Sequence, residues 1–160
     1  MTIVRSLVAG TIAGATATMA LDISTYADMA ARGRAPSDLP ATVVAKLAER
    51  LGLEAGGDDD PAKNRRSAVG SLLGYANGLG VGAAYGIVRP LVRRAPPLVV
   101  ALALGAATMA LSDVPATRLG ATDPRSWSIT DWLSDIVPHA VFGATLVLAY
   151  AAFDDARDSA

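Results

Sequence analysis

The sequence predicts an all-α, polytopic membrane protein with four transmembrane helices. Of its 160 residues, 52% are hydrophobic and only 18% are charged, whereas a soluble domain usually has about 25% charged residues. The apolar residues gather into four segments, at about residues 3–26, 68–88, 97–116 and 131–153. Each is close to the ~20 residues that a helix needs to cross about 30 Å of hydrocarbon.

Two alternatives explain parts of this pattern. A soluble helical bundle needs a charged stripe along each helix, but the run from Ser71 to Val88 has no charged residue on any face. A cleaved signal peptide would fit a basic start followed by an apolar run, but the first segment has a near-copy in mid-chain. We therefore expect the first segment to stay in the membrane and residues 1–160 to form a single membrane domain.

An internal repeat suggests how the segments are arranged. GATATMALD, residues 14–22, returns as GAATMALSD, residues 105–113, and the second and fourth segments end alike in AAYGIV (83–88) and LAYAAF (148–153). These matches predict two helical hairpins of parallel topology, related by a pseudo-twofold axis along the membrane normal. The alternative is chance recurrence of a few residue types that are common in membrane helices.

The loop between the first and second segments contains a short amphipathic helix at about residues 38–52. Pro40 lies in its first turn, apolar residues follow at helical spacing, and Gly52 ends it. Such a helix either lies on the bilayer surface or packs on the end of the bundle.

Small residues form rows along the first two segments. In lipid, helices associate through close van der Waals packing, and small residues let two backbones approach. We predict that the two rows pack against each other within one hairpin, with a homodimer through the same grooves as the alternative. The second segment contributes Gly70, Gly74, Gly78, Gly82 and Gly86, and the first contributes Gly10, Gly14 and Thr18.

Ionisable residues inside apolar segments are candidates for function, because a charge at the centre of a membrane helix costs about 3 kcal/mol. The hairpin topology brings several polar residues to the loop end of the bundle, and they define a candidate cluster: Asp22, Asp113, Asp135, His139 and Asn77. Histidine titrates near neutral pH. The cluster therefore predicts a role in handling protons or a cation.

Other interpretations of the cluster stay open. In the first, each carboxylate has a local role: Asp22 and Asp28 pair with Arg32 or Arg34, Asp113 pairs with Arg118, and Asp131 is the N-cap of the fourth helix. In the second, the cluster serves a small membrane-embedded enzyme, although no nucleotide, haem, iron–sulfur or acyl-nucleophile motif is present. A divalent metal would need a stronger signature than one histidine and loosely spaced acids. We predict no metal and no cofactor.

Charge restricts the partners and the orientation. The net charge of −1 and the lack of a basic stripe argue against nucleic acid, so we expect the lipid bilayer and a second copy or another membrane protein as partners. RPLVRR, residues 89–94, joins the second and third segments and so lies on the same side as both termini in the predicted topology. It is basic and contains no acid, which favours cytoplasmic termini by the positive-inside rule. The larger number of basic residues in the two longer loops favours the opposite orientation.

The C-terminal third of the chain resembles a known family. The loop GATDPRSW, residues 120–127, is followed by an acid shortly before PHAVFG, residues 138–143, and this run is similar to small bacterial inner-membrane proteins of the YagU type. The matching residues are Asp135, His139 and Gly143. The resemblance implies an integral inner-membrane protein with a part in acid resistance and no established reaction. An assembly component that packs through its glycines is a further possibility.

Overall fold

A computed structural model describes residues 2–53, 56–57 and 59–158. Over these ranges the chain forms five α-helices, a 3₁₀ turn at Pro124–Ser126 and no strand, so the predicted all-α class is confirmed. The helices are α1 (Ile3–Arg32), α2 (Leu39–Arg50), α3 (Asp60–Val92), α4 (Pro97–Arg118) and α5 (Ile129–Asp158).

Three segments are long and apolar enough to cross a membrane, namely Ile3–Arg32, Pro97–Arg118 and Ile129–Phe153. This composition suggests a multi-pass membrane protein. Helix α3, which contains the predicted second span, is not among the three. Its central part is uncharged but rich in glycine, which is nearly neutral in hydropathy, and it also carries the polar side chains of Tyr75 and Asn77.

Two helices extend beyond their apolar segments to a capping residue. Helix α1 runs on to Arg32 and ends at Gly33, whose φ of 62° gives the left-handed C-cap that glycine favours. Helix α3 begins at Asp60, well before residue 68, because the Asp59 side chain accepts a hydrogen bond from the Ala62 N–H at 3.0 Å.

The side chains are distributed as expected for a protein surrounded by lipid. Small residues such as Ala13 and Ala17 are fully buried, whereas Leu98 and Leu148 are 70% and 71% exposed. A soluble bundle would bury its large apolar side chains, while membrane helices pack through small ones. The main exception is a core on α5 that consists of Phe142, Leu146 and Tyr150.

The four long helices pack so that contacting neighbours run in opposite directions. Helix α1 contacts α3 and α5 extensively, α4 contacts α5, and α3 contacts α4 over a smaller area. Ser6 of α1 lies against Gly86 of α3 while Thr18 lies against Gly78, which fixes their opposite directions. One end of the bundle therefore carries the start of α1 and the end of α3, and the other carries the end of α1 and the start of α5.

Helix α2 packs on the bundle rather than standing apart from it. Pro40 lies against the backbone at Gly70 of α3. The Arg50 guanidinium donates a hydrogen bond to the Arg118 carbonyl at 2.8 Å, which joins the end of α2 to the end of α4. These contacts hold α2 against α3 and the end of α4.

Candidate functional site

The close-packed half of the bundle consists of residues 6–18 of α1 and residues 78–86 of α3. Here the two backbones touch because the facing positions are glycines or other small residues. A Cβ atom at position 82 would lie 2.6 Å from the Gly14 Cα atom, and one at position 14 would lie 2.7 Å from the Gly78 carbonyl oxygen. Only glycine fits at these positions without moving a backbone.

The opposite half of the bundle, beyond Thr18 and Gly78, contains an opening that we call the polar cleft. A Cβ atom at Gly74 would have no other atom within 4 Å, so the row of glycines continues after the contact has ended. The cleft has a volume of about 240 Å³, and all four long helices together with Pro40 of α2 line it. Its polar lining residues are Thr18, Asp22, Tyr26, Ser71, Tyr75, Asn77, Thr108, Ser112 and His139.

Asp22 presents its carboxylate to the cleft. It accepts a hydrogen bond from the Tyr75 hydroxyl of α3 at 3.2 Å. The predicted local pairing with arginine is instead made by Asp28, which contacts both Arg32 and Arg34, the latter at 2.7 Å. The expectation that Asp22 shares this arginine pairing is therefore wrong, because Tyr75 lies across the cleft and the two arginines bind Asp28.

His139 connects the cleft to a pair of acids behind it. Its Nδ1 atom lies 2.8 Å from the Asp135 carbonyl oxygen and 3.2 Å from the Asp135 carboxylate oxygen Oδ1. Both partners are acceptors, so we assign the proton to Nδ1. In the neutral ring, Nε2 is then the nitrogen that can accept another proton.

Two carboxyl groups meet at the far side of His139. Asp113 of α4 interacts electrostatically with Asp135 and with His139, and not with Arg118 as local pairing predicted. The second carboxylate oxygen of Asp135, Oδ2, is buried and has no hydrogen-bond partner within the part of the chain that the structure describes. This arrangement leaves a buried acceptor beside a second carboxyl group.

Asp131, by contrast, has a structural role at the start of α5, but it lies in the first turn and not at the predicted N-cap position, which Ser128 occupies. Its carboxylate accepts hydrogen bonds from the Ser128 N–H and hydroxyl, at 2.9 and 2.7 Å, while the Ser128 hydroxyl oxygen accepts from the Asp131 N–H at 3.2 Å. These reciprocal bonds form a capping box at the start of α5. Asp131 is therefore a capping residue of this helix.

The repeated motif places its threonines equivalently but not its aspartates. When the two ATMAL sequences are aligned, Thr18 matches Thr108; both line the cleft, and each hydroxyl donates to the carbonyl four residues earlier, at 2.9 and 2.8 Å. In this register Asp22 matches Ser112, and Asp113 comes one residue later. One residue turns a side chain by about 100° around a helix, so Asp113 faces α5 whereas Asp22 faces the cleft.

Of the predicted cluster, Asp22, Asn77 and His139 line the cleft directly. Asp113 and Asp135 lie next to it through their contacts with His139. Tyr26 and Tyr75 also line the cleft but were not predicted, because tyrosine is common near the ends of membrane helices. The spacing of Asp22 and Tyr26, four residues apart, could have indicated that Tyr26 belongs to the site, since it puts both residues on one face of the helix.

The cleft is not arranged as a metal centre. Over residues 2–53, 56–57 and 59–158, no three side chains among histidine, cysteine, aspartate and glutamate converge so that they could hold a metal ion. The cleft instead presents hydrogen-bonding groups, one carboxylate, one imidazole and aromatic rings.

No protein-family model matches the chain, and neither a curated protein nor a solved structure is significantly similar to it.

Proposed function

We propose that the protein is a four-span membrane protein that binds and transfers protons through the polar cleft. The observation that carries the proposal is the meeting of Asp113 with Asp135, where a buried oxygen, Asp135 Oδ2, has no donor in the described part of the chain. A proton shared by the two carboxyl groups would satisfy that oxygen. His139 joins this pair to the cleft, and its second nitrogen, Nε2, can take the proton onward.

Helix α3 is the fourth span in this proposal. About 22 uncharged residues separate Arg66 from Arg89, enough to cross the hydrocarbon at 1.5 Å per residue. The contacts of α3 with α1 extend from Gly86 beside Ser6 to Tyr75 beside Asp22. Because α1 is itself a candidate span, these contacts support placing this part of α3 at the same depth in the membrane.

The two predicted hairpins, α1 with α3 and α4 with α5, fit an internal duplication. Aligning Tyr85 with Tyr150 also aligns Gly78 with Gly143, and each glycine lies against the first helix of its own hairpin, Gly78 against Thr18 and Gly143 against Ala101. The two tyrosines are 3% and 1% exposed, and their rings meet edge to face at 5.2 Å. Equivalent residues thus meet near the centre of the bundle, as a pseudo-twofold axis requires.

The proposed setting is the inner membrane with cytoplasmic termini. The basic residues at the loop end are partly neutralised, since Arg32 and Arg34 contact Asp28. RPLVRR at the opposite end contains three arginines and no acid, and short loops of this kind stay in the cytoplasm. The resemblance to YagU-type proteins supports the same membrane and a role under acid stress.

The span count is tested by cysteine labelling, because the chain contains no cysteine of its own. Ser37→Cys, Arg94→Cys and Ser126→Cys are expressed separately in bacteria and treated with a membrane-impermeant maleimide before and after permeabilisation. Four spans place positions 37 and 126 on one side and position 94 on the other. If α3 does not cross, positions 37 and 94 share a side and position 126 lies opposite.

Proton transfer is tested with purified protein in liposomes that contain a pH-sensitive dye. With the membrane potential clamped by potassium and valinomycin, an imposed pH gradient should collapse faster than in empty liposomes. Asp135→Asn should bring the rate to that of empty liposomes, because it removes the carboxyl group that contacts both Asp113 and His139.

The matched control is Asp131→Asn, one turn earlier on the same helix. Asparagine retains a capping oxygen at that position, so this variant should keep the wild-type rate. Wild-type protein that is no faster than empty liposomes would overturn the proposal, as would an equally active Asp135→Asn variant at equal incorporation.

A further inference from the structure

The polar cleft is large enough to hold a small ligand and not only the water molecules that a proton path needs. It exists because the glycine contact between α1 and α3 stops at Gly78, while the helix α3 continues past Gly74 beside open space. Its volume of about 240 Å³ exceeds what a chain of single water molecules needs. A small organic molecule fits into such a space.

The charges around the cleft select a cation. Its lining includes the carboxylate of Asp22 but no lysine or arginine. A surface of one sign in a low-dielectric setting concentrates ligands of the opposite sign.

The groups beside Asp22 favour an organic ammonium over a bare metal ion. Tyr26 and Tyr75 border the cleft and are 63% and 48% exposed, so their rings are accessible at its mouth. Aromatic rings attract ammonium groups. A hard metal ion would instead require several converging oxygens, and no group of three histidine, cysteine, aspartate or glutamate side chains in the described part of the chain could hold one.

We propose that the polar cleft binds a small organic ammonium ion, with its charge against Asp22 and its alkyl groups against Tyr26 and Tyr75. The inference rests on the proposed function in that His139 lines the same cleft, so the ligand and the transferred proton meet in one chamber. It adds the chemical class of the ligand and the residues that recognise it.

The experiment measures binding of radiolabelled choline to the purified protein by scintillation proximity. The wild type should bind choline, and excess unlabelled 3,3-dimethylbutan-1-ol, the uncharged isostere, should not compete. Asp22→Asn should weaken binding about tenfold or more, because the ammonium loses its counter-charge. Tyr75→Leu should also weaken binding, while Tyr75→Phe, which keeps the ring, should stay within about threefold of the wild type.

A pair of glycine variants separates occupation of the cleft from damage to the fold. Positions 74 and 80 lie on the same helix, and neither has an atom within 4 Å of its Cβ position, but only Gly74 lines the cleft. Gly74→Leu should therefore abolish choline binding by filling the space, and Gly80→Leu should bind as the wild type does. Both should elute as the wild type does in size-exclusion chromatography.

Three results would overturn the inference: no choline binding to folded wild type at millimolar concentration, competition by the uncharged isostere, or unchanged binding in Asp22→Asn and Gly74→Leu. Asp135→Asn keeps the two proposals distinguishable, because it should lose proton transfer while retaining choline binding. Choline binding without proton transfer in the wild type would refute the proposed function alone, and the reverse pattern would refute the ligand alone.

Discussion

The two halves of the α1–α3 pair use the same residue type with opposite results. In the close-packed half, Gly10, Gly14 and Gly82 bring two backbones into contact, whereas in the cleft half Gly74 faces open space. The regular spacing of the glycines is thus the same on both sides of Gly78, but the partner residues differ. Opposite the close-packed glycines lie other small residues, while Asp22 and Tyr75 lie where the helices separate.

This difference shows how one helix can provide both rigidity and a site. Backbone contact in lipid requires small residues on both helices, so a polar or bulky residue on either one ends it. The space that remains is lined by the groups that ended the contact. In this chain those groups are a carboxylate, tyrosines and an amide.

The largest expected effect comes from placing a side chain within the backbone contact. Gly82→Leu should lower the free energy of unfolding by about 3 kcal/mol or more, because its Cβ atom alone would overlap the Gly14 backbone. Gly80→Leu, two residues away and facing outward, should change it by less than about 0.5 kcal/mol. Unfolding in mixed detergent micelles, followed by circular dichroism, measures both. A Gly82→Leu variant as stable as Gly80→Leu would contradict the close contact.

A smaller effect should mark the boundary between the halves. Gly78→Ala should destabilise the protein by about 1–2 kcal/mol, because its Cβ atom would overlap the Thr18 hydroxyl and press on Phe142. Gly74→Ala, one turn away, should instead stabilise it by up to about 1 kcal/mol, since alanine is the better helix former and nothing obstructs it. The same unfolding measurement applies, and equal signs for the two variants would place the boundary elsewhere.

The sequence predicted the helical segments and the rows of small residues, because both follow from local composition and a period of about four. It did not predict where the rows stop making contact. Gly70 contacts Pro40 of α2 and Gly74 contacts nothing, although both were expected to face the first helix. The angle between two helices depends on side chains at both, and a single periodic row does not contain that information.

The candidate site was predicted in part for a related reason. Asp22, Asn77 and His139 line one cleft, but the repeat implied that Asp113 is the equivalent of Asp22. A one-residue offset within an otherwise matching motif sends Asp113 toward Asp135 and His139. Such an offset is visible in the sequence only when the motifs are aligned on ATMAL and not on their final aspartates.

The smallest expected effect tests what holds the cleft half together. There the Asn77 amide of α3 donates a hydrogen bond to the Thr108 carbonyl of α4 at 3.0 Å, and α3 contacts α4 much less than it contacts α1. Asn77→Ala should lower the free energy of unfolding by about 1 kcal/mol, the size of an interhelical hydrogen bond in a membrane protein. The control is Ser71→Ala, whose hydroxyl donates only within its own helix, to the Ser67 carbonyl at 3.1 Å; it should change stability by less than about 0.5 kcal/mol. A loss in Asn77→Ala as large as that in Gly82→Leu would mean that polar bonds, and not the glycine contact, stabilise the bundle most.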